Sequence, residues 1–311
     1  MRGDLDPQVQ MLLDLLNDYD ISLSGDVTGS RQQLDTMMDL AGDDPVEVGA
    51  VSDTTIPAED HDLPARAYVP DGEGPFPTVA FFHGGGFVLG SLEGYDNLCR
   101  LLARRSGCLV VSVDYRLAPE HPWPAALEDV YTATNWLASN AERFSGDGSR
   151  LAVAGDSAGG NLAATVSLLA RERGMPDIDR QILLYPATAY LEPMESRAEN
   201  ASGYFLTAED LLWFVSQYIE NELDAHNPLA FPLAARDLSE LPPAFVMTCG
   251  FDPLRDEGVA YADRLREAGI AVEHTNYESM IHGFLNMEGI VDRTHDGIDE
   301  IAAYLHDELG E

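Results

Sequence analysis

The chain has 311 residues, 54 acidic against 18 basic side chains and a formal net charge of −36, and every basic residue is an arginine. Apolar residues make up 45%, enough for a large core, which excludes the low-hydrophobicity profile of a disordered chain. The charge balance argues against nucleic-acid and anionic-membrane partners, both of which need basic patches, and the cluster Arg100, Arg104 and Arg105 sits at helical spacing and reads as a solvated face.

In chain order, residues 5–17 predict a helix, with Pro7 in its first turn and Val9, Leu12, Leu13 and Leu16 as its apolar stripe. Residues 18–50 are polar and acidic and read as a loosely attached lead-in, with a short helix near 30–40. From about residue 63, strand-like apolar runs at 65–69, 78–82, 109–113, 151–155, 181–185, 244–249 and 270–275 appear. Helical stretches at 94–106, 125–140, 158–173, 257–268 and 297–309 fall between and after them. Near-continuous apolar strands separated by helices predict an α/β fold, a mostly parallel sheet covered on both faces. Between 115 and 129, Pro119, Pro122 and Pro124 predict a rigid extended path, read as scaffold near the site.

Residues 190–222 break the alternation: they hold no strand, but Thr207, Glu209 and Asp210 open a helix there. The expected organisation is an N-terminal helical cap segment over 1–50, an α/β core over 51–189 and 223–311, and a helical cap insertion over 190–222. No apolar run approaches the roughly 18 residues of a membrane span, and the start lacks the apolar region of a secretory signal. Cys99, Cys108 and Cys249 have neither a close pair nor metal-site spacing, which suits a reducing compartment. A cytoplasmic location is expected.

Gly155-Asp156-Ser157-Ala158-Gly159 follows the strand at 151–155 and opens the helix at 158–173. A G-x-S-x-G run between strand and helix is the context that lifts a nucleophilic serine onto a tight elbow at the carboxyl edge of a sheet. His83-Gly84-Gly85-Gly86 follows the strand at 78–82. Its bare amides suit an oxyanion hole, so Gly84 and Gly85, with Ala158 after the nucleophile, are the expected donors, and His83 is expected to brace the loop. Chain order in this architecture is serine, acid, histidine. His282 lies just past the last predicted strand, whereas His274 lies within that strand, His226 at the exit of the insertion, and His295 and His306 near or in the last helix. Asp252 follows the preceding strand; Asp256 and Glu257 begin the next helix, where its dipole accounts for them. Asp156 is set aside because a tight turn projects neighbouring side chains apart.

Together these motifs resemble the hormone-sensitive-lipase-like family of α/β-hydrolases, the bacterial and archaeal esterases with an HGGG box. The resemblance runs through 115–129, 155–163, 252–258 and 281–284, and the helices at 5–17 and 204–214 look like the family's cap helices. It implies the α/β-hydrolase fold, with Ser157, Asp252 and His282 on the catalytic triad and Gly84, Gly85 and Ala158 on the oxyanion hole. It also implies a small-molecule ester of short to medium acyl chain as substrate, and no metal or cofactor. Tyr204, Phe205, Trp213 and Phe214 either line its pocket or pack cap on core. The resemblance leaves room for a homodimer through the last strand and helix. A lactonase, deacetylase or amide hydrolase would use the same triad, and a non-catalytic ligand-binding protein is the reading from a different class. The lysine-free acidic composition resembles that of proteins from extreme halophiles, since such a charge repels itself unless salt screens it.

Overall fold

The N-terminal helix begins where Asp6 accepts a hydrogen bond from the Gln8 N–H, with Pro7 at its first position. The computed structural model describes residues 3–19 and 21–310, and this helix, α1, spans Pro7–Asp18 and buries the predicted stripe of Val9, Leu12, Leu13 and Leu16. Helix α2, Val27–Ala41, is capped by Asp26 and is longer than the short helix expected near 30–40. It is no loose lead-in: Leu34, Met37, Met38 and Ala41 are buried, and Arg31 donates to the Val88 and Ala118 carbonyls while pairing bidentately with Glu120.

The core continues through β1 (Ala50–Pro57), β2 (Asp62–Val69), β3 (Phe76–Phe82), α3 (Asp96–Ser106), β4 (Leu109–Val113) and α4 (Ala125–Asn140). It then runs through β5 (Gly146–Asp156), α5 (Ala158–Arg173) and β6 (Arg180–Leu184). After β6 come α6 (Glu195–Glu199) and α7 (Ala208–Tyr218), followed by β7 (Ala244–Phe251), α8 (Arg255–Glu267), β8 (Val272–Ile281) and α9 (Arg293–Leu309). The strands form one sheet of order β1-β2-β4-β3-β5-β6-β7-β8. From β4 to β8 every pairing is parallel; β2 runs antiparallel to β4, and β1 antiparallel to β2. Strand β1 was not anticipated. Seven of its eight residues keep solvent contact and only Ile56 is buried, so its sequence carries no apolar alternation.

Burial peaks at the centre. Every residue of β3, β4 and β7 is buried, and α5 is buried from Ala158 to Ala170, a helix with no solvent face until its last turn. The carboxyl ends of β5, β7 and β8 therefore open at one edge of a rigid sheet, the place where open α/β sheets hold ligands. Over the insertion, Thr207 and Asp210 form a reciprocal capping box that starts α7. Helix α6 is anchored to the sheet side, where Ser196 donates to the Pro253 carbonyl and its N–H to Asp256.

Among the described residues no helix is long and apolar enough to cross a membrane. Cys99, Cys108 and Cys249 are buried free thiols.

Candidate active site

Ser157 sits between β5 and α5 with φ 56° and ψ −117°, outside the regions open to L-residues without strain. The neighbouring strand holds it there: its N–H donates to the Leu184 carbonyl at 2.8 Å, and its own carbonyl accepts from Ala187 at 3.1 Å and Asn161 at 3.0 Å. Glycine is required at 159, since a Cβ there would lie 1.8 Å from the Phe82 carbonyl oxygen.

Asp252 follows β7 and is fully buried. Its Oδ1 accepts from the Leu254 N–H at 2.7 Å, leaving Oδ2 for His282 Nδ1 at 2.8 Å. His282 follows β8, and its Nε2 lies 2.8 Å from Ser157 Oγ. A carboxylate only accepts, so Nδ1 carries the proton and Nε2 presents its lone pair to the serine hydroxyl. The Tyr185 ring meets the imidazole edge-on, with centroids 4.9 Å apart, and closes off rotation on that side. Three side chains from three chain segments thus form one hydrogen-bonded relay.

The glycine loop differs from expectation at one position. The Gly84 N–H is already engaged, donating to Asp156 Oδ1 at 2.7 Å and to the Tyr95 hydroxyl at 3.0 Å, so it is withdrawn from the oxyanion donors. Gly85 and Gly86 border the cavity at Ser157, and among the described residues neither their N–H groups nor that of Ala158 has a chain acceptor. Gly86, which the sequence reading did not single out, thus borders the cavity beside Gly85. Its φ is +61°, and a Cβ there would lie 2.2 Å from the Phe214 ring.

Asp156 projects away from the relay into this loop. Burial pushes its carboxyl up to about 6, while the charge of a protonated His282 and then the bonds from Tyr95 and Gly84 pull the other way. His83 braces the loop as expected: Nδ1 bonds the Gly84 carbonyl, the ring stacks on Tyr115 at 4.4 Å, and burial lowers its pKa to about 4, so it is neutral. The proline-rich path pins the same loop, through Ala118 N–H to the Phe87 carbonyl and the Tyr115 hydroxyl to the His83 carbonyl.

The remaining histidines stand elsewhere. His274 bonds Thr248 within the sheet, His295 bonds Arg105, and His226 packs on Tyr190. Asp256 serves the α6 anchor, as described. Glu257 is fully buried and ion-paired with Arg197, so a helix dipole does not account for it. Among the described residues no cluster of three His, Cys, Asp or Glu side chains could hold a metal ion.

Two cavities meet at Ser157. One is lined by His282, by Leu34, Met37 and Met38 of α2, and by Phe205 and Phe214. The other carries Ala158, Leu211, Val215 and Phe231 in its wall, together with Arg197 and Glu257. Of the four aromatics between β6 and β7 named above, Phe205 and Phe214 line these cavities, whereas Tyr204 packs on Phe251 and Trp213 on Phe214.

Comparison with known proteins agrees with this architecture. Residues 79–286 match a family described as having the alpha/beta hydrolase fold. The carboxylic ester hydrolase LipN of Mycobacterium tuberculosis is 40% identical over 314 residues, 98% of this chain and 83% of its own. A solved ester hydrolase from the metagenome of Lake Arreo, complexed with a derivative of bipyridine phosphonate, aligns with a TM-score of 0.93 at 41% identity, over 99% of this chain and 100% of that one. A gibberellin receptor of Arabidopsis thaliana is 36% identical over 75% of this chain and 69% of its own. The similarity takes in the sheet, the serine elbow and the loops that meet above it, and the chain belongs to the hormone-sensitive-lipase-like branch of the α/β-hydrolase family.

Proposed function

We propose that this protein is a carboxylesterase that cleaves small-molecule esters of short to medium acyl chain through an acyl-enzyme. Ser157 is the nucleophile, His282 the general base and Asp252 the group that fixes the imidazole tautomer. As Oγ attacks the ester carbonyl, its proton passes to Nε2, and the oxyanion gathers the N–H groups of Gly85, Gly86 and Ala158. The imidazolium then protonates the leaving alcohol. Water, deprotonated by the same nitrogen, attacks the acyl-serine, and the released Oγ takes the proton back. The observation that carries this reading is the unbroken relay from Asp252 Oδ2 through His282 to Ser157 Oγ, with 2.8 Å at both steps. It also weighs against a receptor without catalysis, which has no use for an imidazole primed against a serine.

Residues 1–50 and 190–222 act in this scheme as a cap. Support comes from α2 and α7, whose Leu34, Met37, Met38 and Phe214 border the cavities at Ser157. Their apolar walls favour an acyl ester over an amide substrate with charged flanks. The test is a ladder of p-nitrophenyl esters of rising acyl length: turnover peaks at short to medium chains and falls for long ones, and no cleavage of any ester would contradict the reading.

Gly86→Ala tests the revised oxyanion hole. The added Cβ collides with Phe214 and strains a backbone at φ +61°, displacing one donor, so kcat falls about 10²–10³-fold. Steady-state kinetics on p-nitrophenyl butyrate, beside far-UV circular dichroism to verify folding, reads the effect.

The protein is further proposed to be adapted to high salt. A net charge of −36 is screened over about 3 Å at 1 M salt but over about 30 Å at 10 mM, and unscreened self-repulsion destabilises the compact state. Activity and thermal midpoint are therefore highest in molar KCl and fall as salt is dialysed away. Equal stability in about 10 mM buffer would contradict salt adaptation and leave the esterase reading standing.

A further inference from the structure

The two cavities at Ser157 receive different ends of a substrate. His282 must reach the leaving oxygen to protonate it, and of the two cavities His282 lines only the one under α2. The alcohol portion of an ester therefore lies there, and the acyl portion enters the cavity that carries Ala158 in its wall.

Gly86, Ser157, Leu206 and Phe214 border both cavities. Gly86 and Ser157 belong to the loops that hold the ester carbonyl. Leu206 and Phe214 are buried side chains of the insertion, Leu206 directly before the Thr207 cap of α7 and Phe214 on α7 itself. The Phe214 ring lies so close to Gly86 that a Cβ there would overlap it. Ring and loop thus meet at the boundary of the two cavities, and Leu206 and Phe214 form a bar between them. Both ends of α7 hold the bar still. At its start the capping box ties Thr207 to Asp210. At its end the Tyr218 ring stacks on Phe87 with centroids 3.8 Å apart, and the Tyr218 carbonyl accepts from the Trp123 N–H at 2.9 Å. A close-packed wall of this kind yields little to a substrate.

An open-chain ester can straddle the bar, because rotation about the bonds beside its carbonyl sends the acyl chain to one side and the alkoxy group to the other. A lactone cannot. Its acyl and alkoxy carbons are joined through the ring, so both ends stay in one cavity. On the acyl side the leaving oxygen then turns away from His282 Nε2. On the alcohol side the acyl carbon is pulled back and the carbonyl oxygen rotates off its donors. Either placement loses the alignment that the reaction needs. Resting on the ester-hydrolase reading above, we propose that Leu206 and Phe214 are specificity-determining residues that part the two arms of an open-chain ester at Ser157 and thereby exclude lactones.

The experiment compares kcat/KM for δ-valerolactone and ε-caprolactone with that for ethyl propanoate, by proton release at constant pH, in the wild type, Leu206→Ala, Phe214→Ala and Phe214→Leu. The wild type is expected to favour the open-chain ester, although these lactones are the more reactive toward hydroxide. The readout is the lactone-to-open-chain ratio, in which intrinsic reactivity cancels between variants. It is expected to rise roughly 10- to 100-fold in the alanine variants, the scale on which an apolar pocket distinguishes shapes. Leu206→Ala leaves the contact of Phe214 with Gly86 in place, so it opens the bar without disturbing the oxyanion loop. Phe214→Leu keeps an apolar side chain on α7, with a smaller rise, and remains informative if an alanine variant fails to fold. A ratio that stays at the wild-type value while lactone and open-chain turnover fall together makes both side chains structural and overturns the proposal. A wild type that cleaves the lactones as readily as ethyl propanoate overturns it as well. Absence of cleavage of every ester by the wild type, open-chain or cyclic, is the separate failure of the esterase reading itself.

Discussion

Ser157→Ala is expected to lower kcat on p-nitrophenyl butyrate by about 10⁶-fold, the scale reached when a serine hydrolase loses its nucleophile. The substitution is conservative for the fold. Alanine keeps the Cβ, so the strained φ of 56° is unchanged, and the bonds from Leu184, Ala187 and Asn161 that hold the elbow involve only backbone atoms at 157. What disappears is Oγ, 2.8 Å from His282 Nε2. About 10³–10⁴-fold acceleration over water should survive through the oxyanion donors and substrate binding. Thermal unfolding of the variant alongside wild type separates lost chemistry from lost structure, and a variant retaining a tenth of wild-type turnover would contradict the assignment.

Asp252→Asn is expected to cost about 10⁴-fold in kcat with little change in KM. The reason lies in the second hydrogen bond of the carboxylate. The Leu254 N–H, 2.7 Å from Oδ1, needs an acceptor, so the asparagine places its amide oxygen there and turns its NH₂ toward His282 Nδ1. That nitrogen must then accept, the proton moves to Nε2, and Nε2 can no longer take the proton from Ser157. The effect is one of tautomer, not of missing atoms. A drop of less than tenfold in steady-state assays would show that Asp252 does not orient the base.

Much of this arrangement was legible in the amino-acid sequence because its signals are local. The Ser157 elbow is announced by apolar strand, glycines and helix within about twenty residues, and the chain order of the architecture then singled out Asp252 and His282. Features decided by distant contacts were not legible. Three consecutive glycines look alike on paper; the side chains of Asp156 and Tyr95 determine that Gly84 turns its N–H inward, and this leaves Gly85 and Gly86 to face the cavity. Glu257 resembles any acid in a helix's first turn until α6 brings Arg197 against it. The extent of β8, whose run from Glu273 to Asn276 is only part-buried or exposed, and the existence of β1 escaped for one reason. Edge strands facing solvent lack the apolar run that marks the central ones.

The central claim is that Ser157 is the one activated nucleophile. Reaction with an organophosphonate followed by peptide mass spectrometry tests it most directly. The account predicts a single adduct per chain, on Ser157, with ester hydrolysis lost in proportion to labelling and no labelling of Ser157→Ala. An adduct on any other residue, or hydrolysis that persists after Ser157 is fully modified, would contradict it.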